Sequence, residues 1–229
     1  MTPPDALIFD FDGLICDTEG CLAQAAERVF LQHGVGFPFE RWLDVIGTSS
    51  PNNFWVPWLE ELVGEPIDER EVLDEFDRHN MAATAELVAN PGVDQLLDMA
   101  DDEGIAVGVA SSSSSRWVTG LLDQLGLLHR FSHVLTRGDV VHAKPAPDLY
   151  LLAAKRFKSN PVQCVALEDS RNGSLAAVAA GMPCIVVPNE LTQHQDLSHA
   201  TRRVASLADV TLTLLRNLRM ESEALLGGW

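Results

Sequence analysis

The stretch Ala6-Leu7-Ile8-Phe9-Asp10-Phe11-Asp12-Gly13 joins a short apolar run to two carboxylates. An apolar side chain at every position from 6 to 9 is typical of a strand that is buried on both faces of a parallel sheet. Side chains alternate along a strand, so Asp10 and Asp12 can face the same side near its carboxyl end. Ligands of open α/β sheets bind in the crevice beyond these ends. The stretch therefore predicts the first strand of an α/β sheet, followed directly by a polar site.

The rest of the chain repeats this pattern at intervals. Four further apolar runs are bounded by polar or turn residues, at positions 105–110, 133–136, 164–167 and 184–187. The segments between the runs carry apolar residues at helical spacing, for example Trp117, Val118, Leu121, Leu122 and Leu125. Strands that alternate with helices predict βαβ units, and hence a Rossmann-like parallel sheet with helices on both faces.

One segment breaks the alternation. Residues 18–90 contain no convincing strand, and their apolar residues form two helical stripes, from Leu22 to Phe30 and from Val72 to Leu87. Pro91-Gly92 then marks the return to the α/β pattern. The sequence therefore predicts an all-helical domain at 18–90, inserted into an α/β core formed by 1–17 and 91–229.

Charge and composition exclude several classes of protein. The 229 residues include 16 Lys and Arg against 33 Asp and Glu, a formal net charge of −17, which disfavours binding to nucleic acid or to an anionic membrane. The four cysteines form no CxxC pair, and the longest uncharged apolar stretch, Leu175 to Val187, is too short to span a bilayer. No signal-peptide pattern is present at the N-terminus. We expect a cytoplasmic protein without disulfides or structural zinc, as a monomer or weak homo-oligomer.

Polar residues also follow the later strands. Two carboxylates as close as Asp10 and Asp12 repel each other unless a cation or proton joins them, and Mg²⁺ prefers such oxygen ligands, although a lone DxD is often only a turn. Ser111-Ser112 stands before a helix, where hydroxyl and N–H groups either bind an anion or only cap the helix. Lys144 lies in a stiff K-P-x-P segment, which favours a fixed charge over a solvated side chain. Glu168 and Asp169 follow the fourth strand, where a helix cap alone would need only one Asp.

Taken in order, these four segments resemble the signature motifs of the haloacid dehalogenase superfamily: DxDG, a Ser after a strand, K-P-x-P-D and EDSxxG. The resemblance covers the α/β core almost end to end. The helical insertion resembles the small helical cap of that superfamily. Within the superfamily, the chain most resembles the β-phosphoglucomutase-like phosphatases. The resemblance implies a Mg²⁺-dependent phosphomonoester phosphatase that acts on a small phosphorylated metabolite, such as a sugar or polyol phosphate.

The resemblance also implies a role for each matching residue. Asp10 would be the nucleophile that forms an aspartyl-phosphate, and Asp12 the general acid and then the general base. Ser111, Ser112 and Lys144 would hold the transferring phosphoryl group. Mg²⁺ would be bound by Asp10, by the backbone carbonyl of Asp12 and by Asp169, with Glu168 as a ligand or as a partner through water.

Three other readings use the same fold. In β-phosphoglucomutase an Arg in the cap grips the distal phosphate and a His delays attack by water; the matching positions here are Ser50 and Leu22, which favours hydrolysis over a hexose-phosphate mutase. A haloacid dehalogenase lacks the second Asp of the first motif, whereas Asp12 is present. A binding protein without activity would have lost a nucleophile or metal ligand, and none is lost.

Some residues remain ambiguous at this point. Trp42, Trp55 and Trp58 could form a wall over the site, but packing within the inserted domain is the more ordinary interpretation. The segment Gly47-Thr48-Ser49-Ser50 could contact substrate, and His142 reads as an exposed loop residue.

Overall fold

A six-stranded parallel sheet forms the centre of the protein. The structure is a computed structural model that describes residues 2–45 and 53–226, without the side chains of Glu223, Leu225 and Leu226. The sheet has the order β3-β2-β1-β4-β5-β6, which places β1 between β2 and β4. Its strands are β1 (Ala6–Phe9), β2 (Ala106–Ala110), β3 (His133–Leu135), β4 (Cys164–Glu168), β5 (Cys184–Val186) and β6 (Arg202–Arg203). The predicted α/β fold class is confirmed.

Helices cover both faces of this sheet. The side chains of β1 alternate, so that Leu7 and Phe9 belong to one buried cluster and Ala6 and Ile8 to the other. The first cluster lies beneath α5 (Val93–Glu103), α6 (Ser115–Gln124) and α9 (Leu212–Leu226). The second lies beneath α7 (Asp148–Arg156) and α8 (Arg171–Ala179). Burial on both faces is the reason why β1, β2 and β5, and β4 up to Leu167, are apolar along their length.

The segment after β1 is helical, as the sequence predicts. This helical region contains α1 (Thr18–Gln32), α2 (Phe39–Leu43), α3 (Val56–Val63) and α4 (Glu69–Thr84). Asp17 caps α1 by accepting a hydrogen bond from the N–H of Gly20 at 2.9 Å, and Asp68 caps α4. The helical region has its own buried cluster, which includes Val29, Phe30, Trp55 and Phe76.

Two details differ from the sequence-based expectations. The second apolar stripe does not continue to Leu87, because α4 ends at Thr84 and Leu87 packs against the cluster beneath α5 and α6. Strand β6 was not predicted: it consists of two exposed arginines that extend the sheet beside β5. Within the described part of the chain, no helix combines the length and the apolarity needed to cross a membrane.

The return from the helical region to the sheet depends on Gly92. Its φ of +94° lies in the left-handed region that favours glycine, and it precedes the first residue of α5. A Cβ atom at this position would lie 2.0 Å from the backbone nitrogen of Ala208. A side chain is therefore excluded both by conformation and by space.

Candidate active site

The polar residues predicted from sequence meet where β1, β2 and β4 end. Asp10 follows β1, and its N–H donates to the carbonyl of Leu167 in β4 at 2.8 Å. Ser111 follows β2, and its N–H donates to the carbonyl of Leu135 in β3 at 2.9 Å. Glu168 ends β4 and Asp169 follows it. Backbone pairing of the parallel strands thus sets these side chains at one edge of the sheet, as ligand sites of this topology require.

Lys144 links two of the carboxylates. Its Nζ donates to Asp10 Oδ1 and, at 2.6 Å, to Glu168 Oε1, and the side chain is only 6% exposed. The hydroxyl of Tyr150 also donates to Glu168 Oε1, and Lys144 Nζ lies 5.0 Å from the centre of the Tyr150 ring. Burial acts to lower the pKa of Lys144, but the charges of Asp10 and Glu168 outweigh it and hold that pKa above its usual range. The ammonium is therefore a permanent charge at this position.

Asp10, Glu168 and Asp169 form a buried acidic cluster. Each offers a carboxylate oxygen, and these oxygens lie within 4.8 Å of one another. Burial, followed by neighbouring carboxylates, raises the pKa of Asp10 to about 8, although Lys144 opposes the shift. The pKa of Asp169 is also well above its usual range, because of burial and then the charges of Glu19 and Asp10. One ammonium cannot neutralise three carboxylates, so the cluster fits a divalent cation with hard oxygen ligands.

Within this cluster Glu168 differs from the two aspartates. Its Oε1 accepts from Lys144 and Tyr150, and its Oε2 accepts from the N–H of Asp169 at 3.3 Å and from Ser170 Oγ at 3.4 Å. Gly173 closes over this carboxylate: a Cβ there would lie 2.0 to 2.1 Å from it. These contacts use most of the lone pairs of Glu168, so Asp10 and Asp169 are the better candidates for direct metal ligation.

Asp12 lies outside the acidic cluster and accepts hydrogen bonds from four side chains. Thr18 Oγ1 and Trp117 Nε1 each donate to Oδ1 at 2.9 Å. Ser113 Oγ donates to Oδ2 at 2.6 Å and Ser111 Oγ at 3.2 Å. The carboxylate of Asp12 is therefore held by the first turns of α1 and α6 and by the loop before α6. The metal contact expected of its backbone carbonyl stays a prediction.

The four serines of the serine loop, residues 111–114, make different contacts. Ser111 Oγ accepts from the N–H of Ser113 at 3.0 Å, in addition to its bond with Asp12, and Ser114 caps α6. Among the described residues Ser112 Oγ is buried and has no hydrogen-bond partner. Ser112, Ser113 and Ser114 line the cavity described next, whereas Ser111 is not one of its lining residues. A free hydroxyl in the loop before α6 is suited to an anionic oxygen of a ligand.

A cavity of about 350 Å³ lies between the sheet edge and the helical region. Asp10, Asp12, Lys144 and Asp169 line it from the sheet side, together with Arg137. The helical region contributes one acidic residue, Glu19, and six apolar residues: Leu22, Trp42, Val45, Phe54, Trp55 and Phe76. This volume lies within the range of small-molecule sites.

Sequence reasoning missed several residues of this site. Glu19 Oε2 is buried without a partner among the described residues, and burial, followed by Asp12 and Asp10, raises the pKa of Glu19 to about 8. Asn189 Nδ2 donates to Asp169 Oδ2 at 2.8 Å, and Ser113 and Trp117 bind Asp12. The only sequence signal for Glu19 is its position in the first turn of α1, directly after the DxDG segment.

The ambiguous tryptophans divide into two groups. Trp42 and Trp55 belong to the buried cluster of the helical region and also line the cavity. Trp58 is not one of the residues that line the cavity, and its ring lies beneath the guanidinium of Arg41 at 4.6 Å. His142 is exposed, and its Nδ1 lies 3.3 Å from Asp148 Oδ2. Gly47 to Ser50 lie outside the described residues.

Several known proteins are similar to this chain in sequence, in fold or in both. Residues 7–187 match the family described as haloacid dehalogenase-like hydrolase. The chain is 43% identical over 211 residues to the proposed phosphatase YhcW of Bacillus subtilis (strain 168), covering 92% of this chain and 95% of that protein. It is 34% identical to the fructose-1-phosphate phosphatase YqaB of Escherichia coli (strain K12), covering 79% and 95% of the two chains.

A solved structure extends this similarity to the whole fold. The structure of a proposed β-phosphoglucomutase from Thermotoga maritima aligns with a TM-score of 0.79 at 27% identity, covering 93% of this chain and 99% of that one. The family match spans the sheet edge that carries Asp10, Ser111, Lys144 and Asp169. The chain therefore belongs to the haloacid dehalogenase-like hydrolases, in the branch of β-phosphoglucomutase-like phosphatases with a helical region after the first strand.

Proposed function

We propose that this protein is a Mg²⁺-dependent phosphomonoester phosphatase that hydrolyses a small phosphorylated metabolite, a sugar or polyol phosphate, through an aspartyl-phosphate. The observation that carries the proposal is the buried contact of Lys144 with Asp10 beside Asp169. Asp10 contacts the charged Lys144 and lies beside the carboxylate of Asp169. This arrangement suits a nucleophile next to a cation site. The phosphatase names of YhcW and YqaB support the same reaction.

The reaction proceeds in two balanced steps. In the first, a carboxylate oxygen of Asp10 attacks phosphorus, the bond between phosphorus and the ester oxygen breaks, and Asp12 gives its proton to the departing oxygen. In the second, Asp12 accepts a proton from water as the water oxygen attacks phosphorus. The bond between phosphorus and Asp10 then breaks, which releases inorganic phosphate and restores both carboxyl groups.

Other residues bind and balance the phosphoryl group. Lys144 opposes its negative charge, and Ser112, in the loop before α6, offers a hydroxyl without a partner among the described residues. Asp10 and Asp169 would hold Mg²⁺, with Glu168 keeping Lys144 in place and the backbone carbonyl of Asp12 as a further ligand. Bound Mg²⁺ supplies Lewis-acid stabilisation of charge on the phosphoryl oxygens.

The helical region would act as a cap that closes over the cavity. We assign residues 18–90 to this cap and residues 1–17 and 91–229 to the catalytic core. The two connections between cap and core lie at Asp17, which caps α1, and at Gly92, which has a left-handed backbone conformation. Closure would exclude bulk water from the aspartyl-phosphate.

A hexose-phosphate mutase is the second candidate, because a proposed β-phosphoglucomutase shares the fold. A mutase must grip a second phosphate at the distal end of its substrate, for which a bidentate Arg is best suited. Among the described residues, the cations that line the cavity are Lys144 and Arg137, both on the sheet side, and the helical region contributes none. Residues 46–52, which include Ser50 and lie outside the described part, contain no Lys or Arg in the sequence. Leu22 lines the cavity but cannot hydrogen-bond.

Phosphate release from a panel of phosphomonoesters, with Mg²⁺ and with EDTA, tests the proposal. We expect release only with Mg²⁺, a loss of turnover by many orders of magnitude in Asp10→Asn, and wild-type rates in Asp123→Asn, an exposed control on α6. Turnover in carefully purified Asp10→Asn would contradict the role of Asp10. Conversion of β-glucose 1-phosphate to glucose 6-phosphate with little phosphate released would favour the mutase.

A further inference from the structure

Trp117 contacts the proposed general acid from the core side of the cavity. Its indole Nε1 donates to Asp12 Oδ1 at 2.9 Å, and its ring lines the cavity. Trp117 belongs to the first turn of α6, a helix whose residues Val118 and Leu122 are fully buried against the sheet. The indole therefore rests on a rigid element, and its hydrogen bond fixes the orientation of the Asp12 carboxyl relative to the core.

The two oxygens of Asp12 differ in one partner: Oδ1 is bonded by the indole of Trp117 and the hydroxyl of Thr18, whereas Oδ2 is bonded by two serine hydroxyls. Indole N–H is a donor only, so Oδ1 must act as an acceptor towards Trp117 whatever the state of the carboxyl group. Oδ2 is bonded by the hydroxyls of Ser113 and Ser111, and a hydroxyl can either donate or accept. Either serine hydroxyl can therefore rotate to accept a proton on Oδ2. At Oδ1 the Thr18 hydroxyl could do the same, but the other hydrogen-bonding position of that oxygen always accepts from the N–H of Trp117.

We infer that Trp117 is a positioning residue that commits one position of Asp12 Oδ1 as an acceptor and so favours Oδ2, whose partners are both hydroxyls, as the oxygen that exchanges a proton with substrate and water. This inference rests on the proposed function and deepens it. The proton passes from Oδ2 to the ester oxygen as the bond between phosphorus and that oxygen breaks. In the second step Oδ2 takes a proton back from the attacking water. Trp117 neither gains nor loses a proton in either step.

A pair of aryl phosphates separates this role from a purely structural one. Phenyl phosphate and p-nitrophenyl phosphate share a similar shape, but the nitrophenolate leaves without a proton whereas phenolate needs one. Since kcat/KM reports only the steps up to release of the phenol, it isolates the acid function of Asp12. In Trp117→Phe, which keeps a ring and removes the N–H, we expect kcat/KM for phenyl phosphate to fall about tenfold, a part of the full contribution of a general acid. For p-nitrophenyl phosphate kcat/KM should stay within about twofold of wild type.

Two further variants serve as controls, one expected to show a larger effect and one expected to show none. Asp12→Ala should show the same selectivity with a larger loss on phenyl phosphate, and Trp58→Phe, outside the cavity wall, should match wild type on both esters. If Trp117→Phe fails to fold, the benzothienyl analogue of tryptophan at position 117 keeps the ring size and removes the same N–H. Equal loss on both esters, or no loss on either, would overturn the inference while leaving the phosphatase intact. Absence of Mg²⁺-dependent hydrolysis of both esters by the wild type would overturn the proposed function, and this inference with it.

Discussion

Raising the pH of the metal-free protein from 5 to 7 is expected to lower its free energy of unfolding, because Asp10, Glu19 and Asp169 all have raised pKa values in the folded state, and the contribution of Asp10 can be isolated. Burial raises the pKa of Asp10 from 3.8 to about 8, with Glu168 and Asp12 adding to the shift and Lys144 opposing it. Between these two values the unfolded chain has lost the proton of Asp10 while the folded chain retains it. The folded state then binds more protons, so stability must fall as the pH rises.

The magnitude follows from the width of the interval. Each pH unit between the unfolded and folded pKa costs about 1.4 kcal/mol, so two units cost about 3 kcal/mol for Asp10 alone. For a chain of this size each kcal/mol moves the melting temperature by roughly 2–4 °C, which predicts a fall of about 6–12 °C. The net charge of −17 adds a pH dependence of its own, because the molecule repels itself more strongly as acids ionise.

Urea unfolding in EDTA at pH 5, 6 and 7, for wild type and for Asp10→Asn, isolates the contribution of Asp10. The amide cannot ionise, so the variant should lose the contribution of Asp10 and keep the dependence that comes from Glu19, Asp169 and net charge. Saturating Mg²⁺ should remove most of the difference in wild type, because a cation bound to the ionised cluster stabilises the folded state by mass action. Identical pH dependence of wild type and Asp10→Asn in EDTA would refute this reasoning.

Three further changes test other parts of the structure. Asp169→Ala should raise the Mg²⁺ concentration needed for half-maximal activity by about tenfold or more, and an unchanged Mg²⁺ titration would remove Asp169 from the metal site. Gly92→Ala should lower the free energy of unfolding by about 3 kcal/mol or more, since strain at φ +94° adds to the overlap with Ala208. Gly64→Ala, at φ +82° with no atom within 4 Å, should show only the strain of about 1–2 kcal/mol, and equal losses would contradict the overlap argument. Binding of a phosphate mimic should change hydrogen exchange at Asp17 and Gly92, and unchanged exchange at both would count against cap closure.

The sheet could be predicted because its strands are buried on both faces. Burial of β1, β2, β4 and β5 forces continuous apolar runs, and such runs can be read without knowledge of the neighbours. Strand β6 carries no such signal, because Arg202 and Arg203 pair with β5 at an exposed edge and their side chains stay in water. Its existence depends on the path of the chain after β5, which local composition does not determine.

The site could be predicted to the extent that strand ends determine it. Asp10, Ser111 and Glu168 each end or follow a strand, so parallel pairing alone is enough to bring them together. Glu19 and Asn189 do not follow from pairing. Glu19 reaches the cavity because α1 begins beside the sheet edge, and Asn189 reaches Asp169 through a loop after β5.

Trp117 shows why a correct pattern can miss a hydrogen bond that an apolar residue makes. At the sequence level it is one member of an apolar helical stripe with Val118, Leu121 and Leu122, and those three residues do pack into the core as the stripe predicts. Periodicity records only that a side chain is apolar, and an indole satisfies that requirement while carrying one N–H donor at its edge. Because Trp117 lies in the first turn of α6, its ring lies at the edge of the cavity, where Asp12 accepts a hydrogen bond from that donor. Phenylalanine fits the same apolar stripe, so Trp117→Phe keeps the helical pattern and removes only the hydrogen bond to Asp12 that the structure reveals.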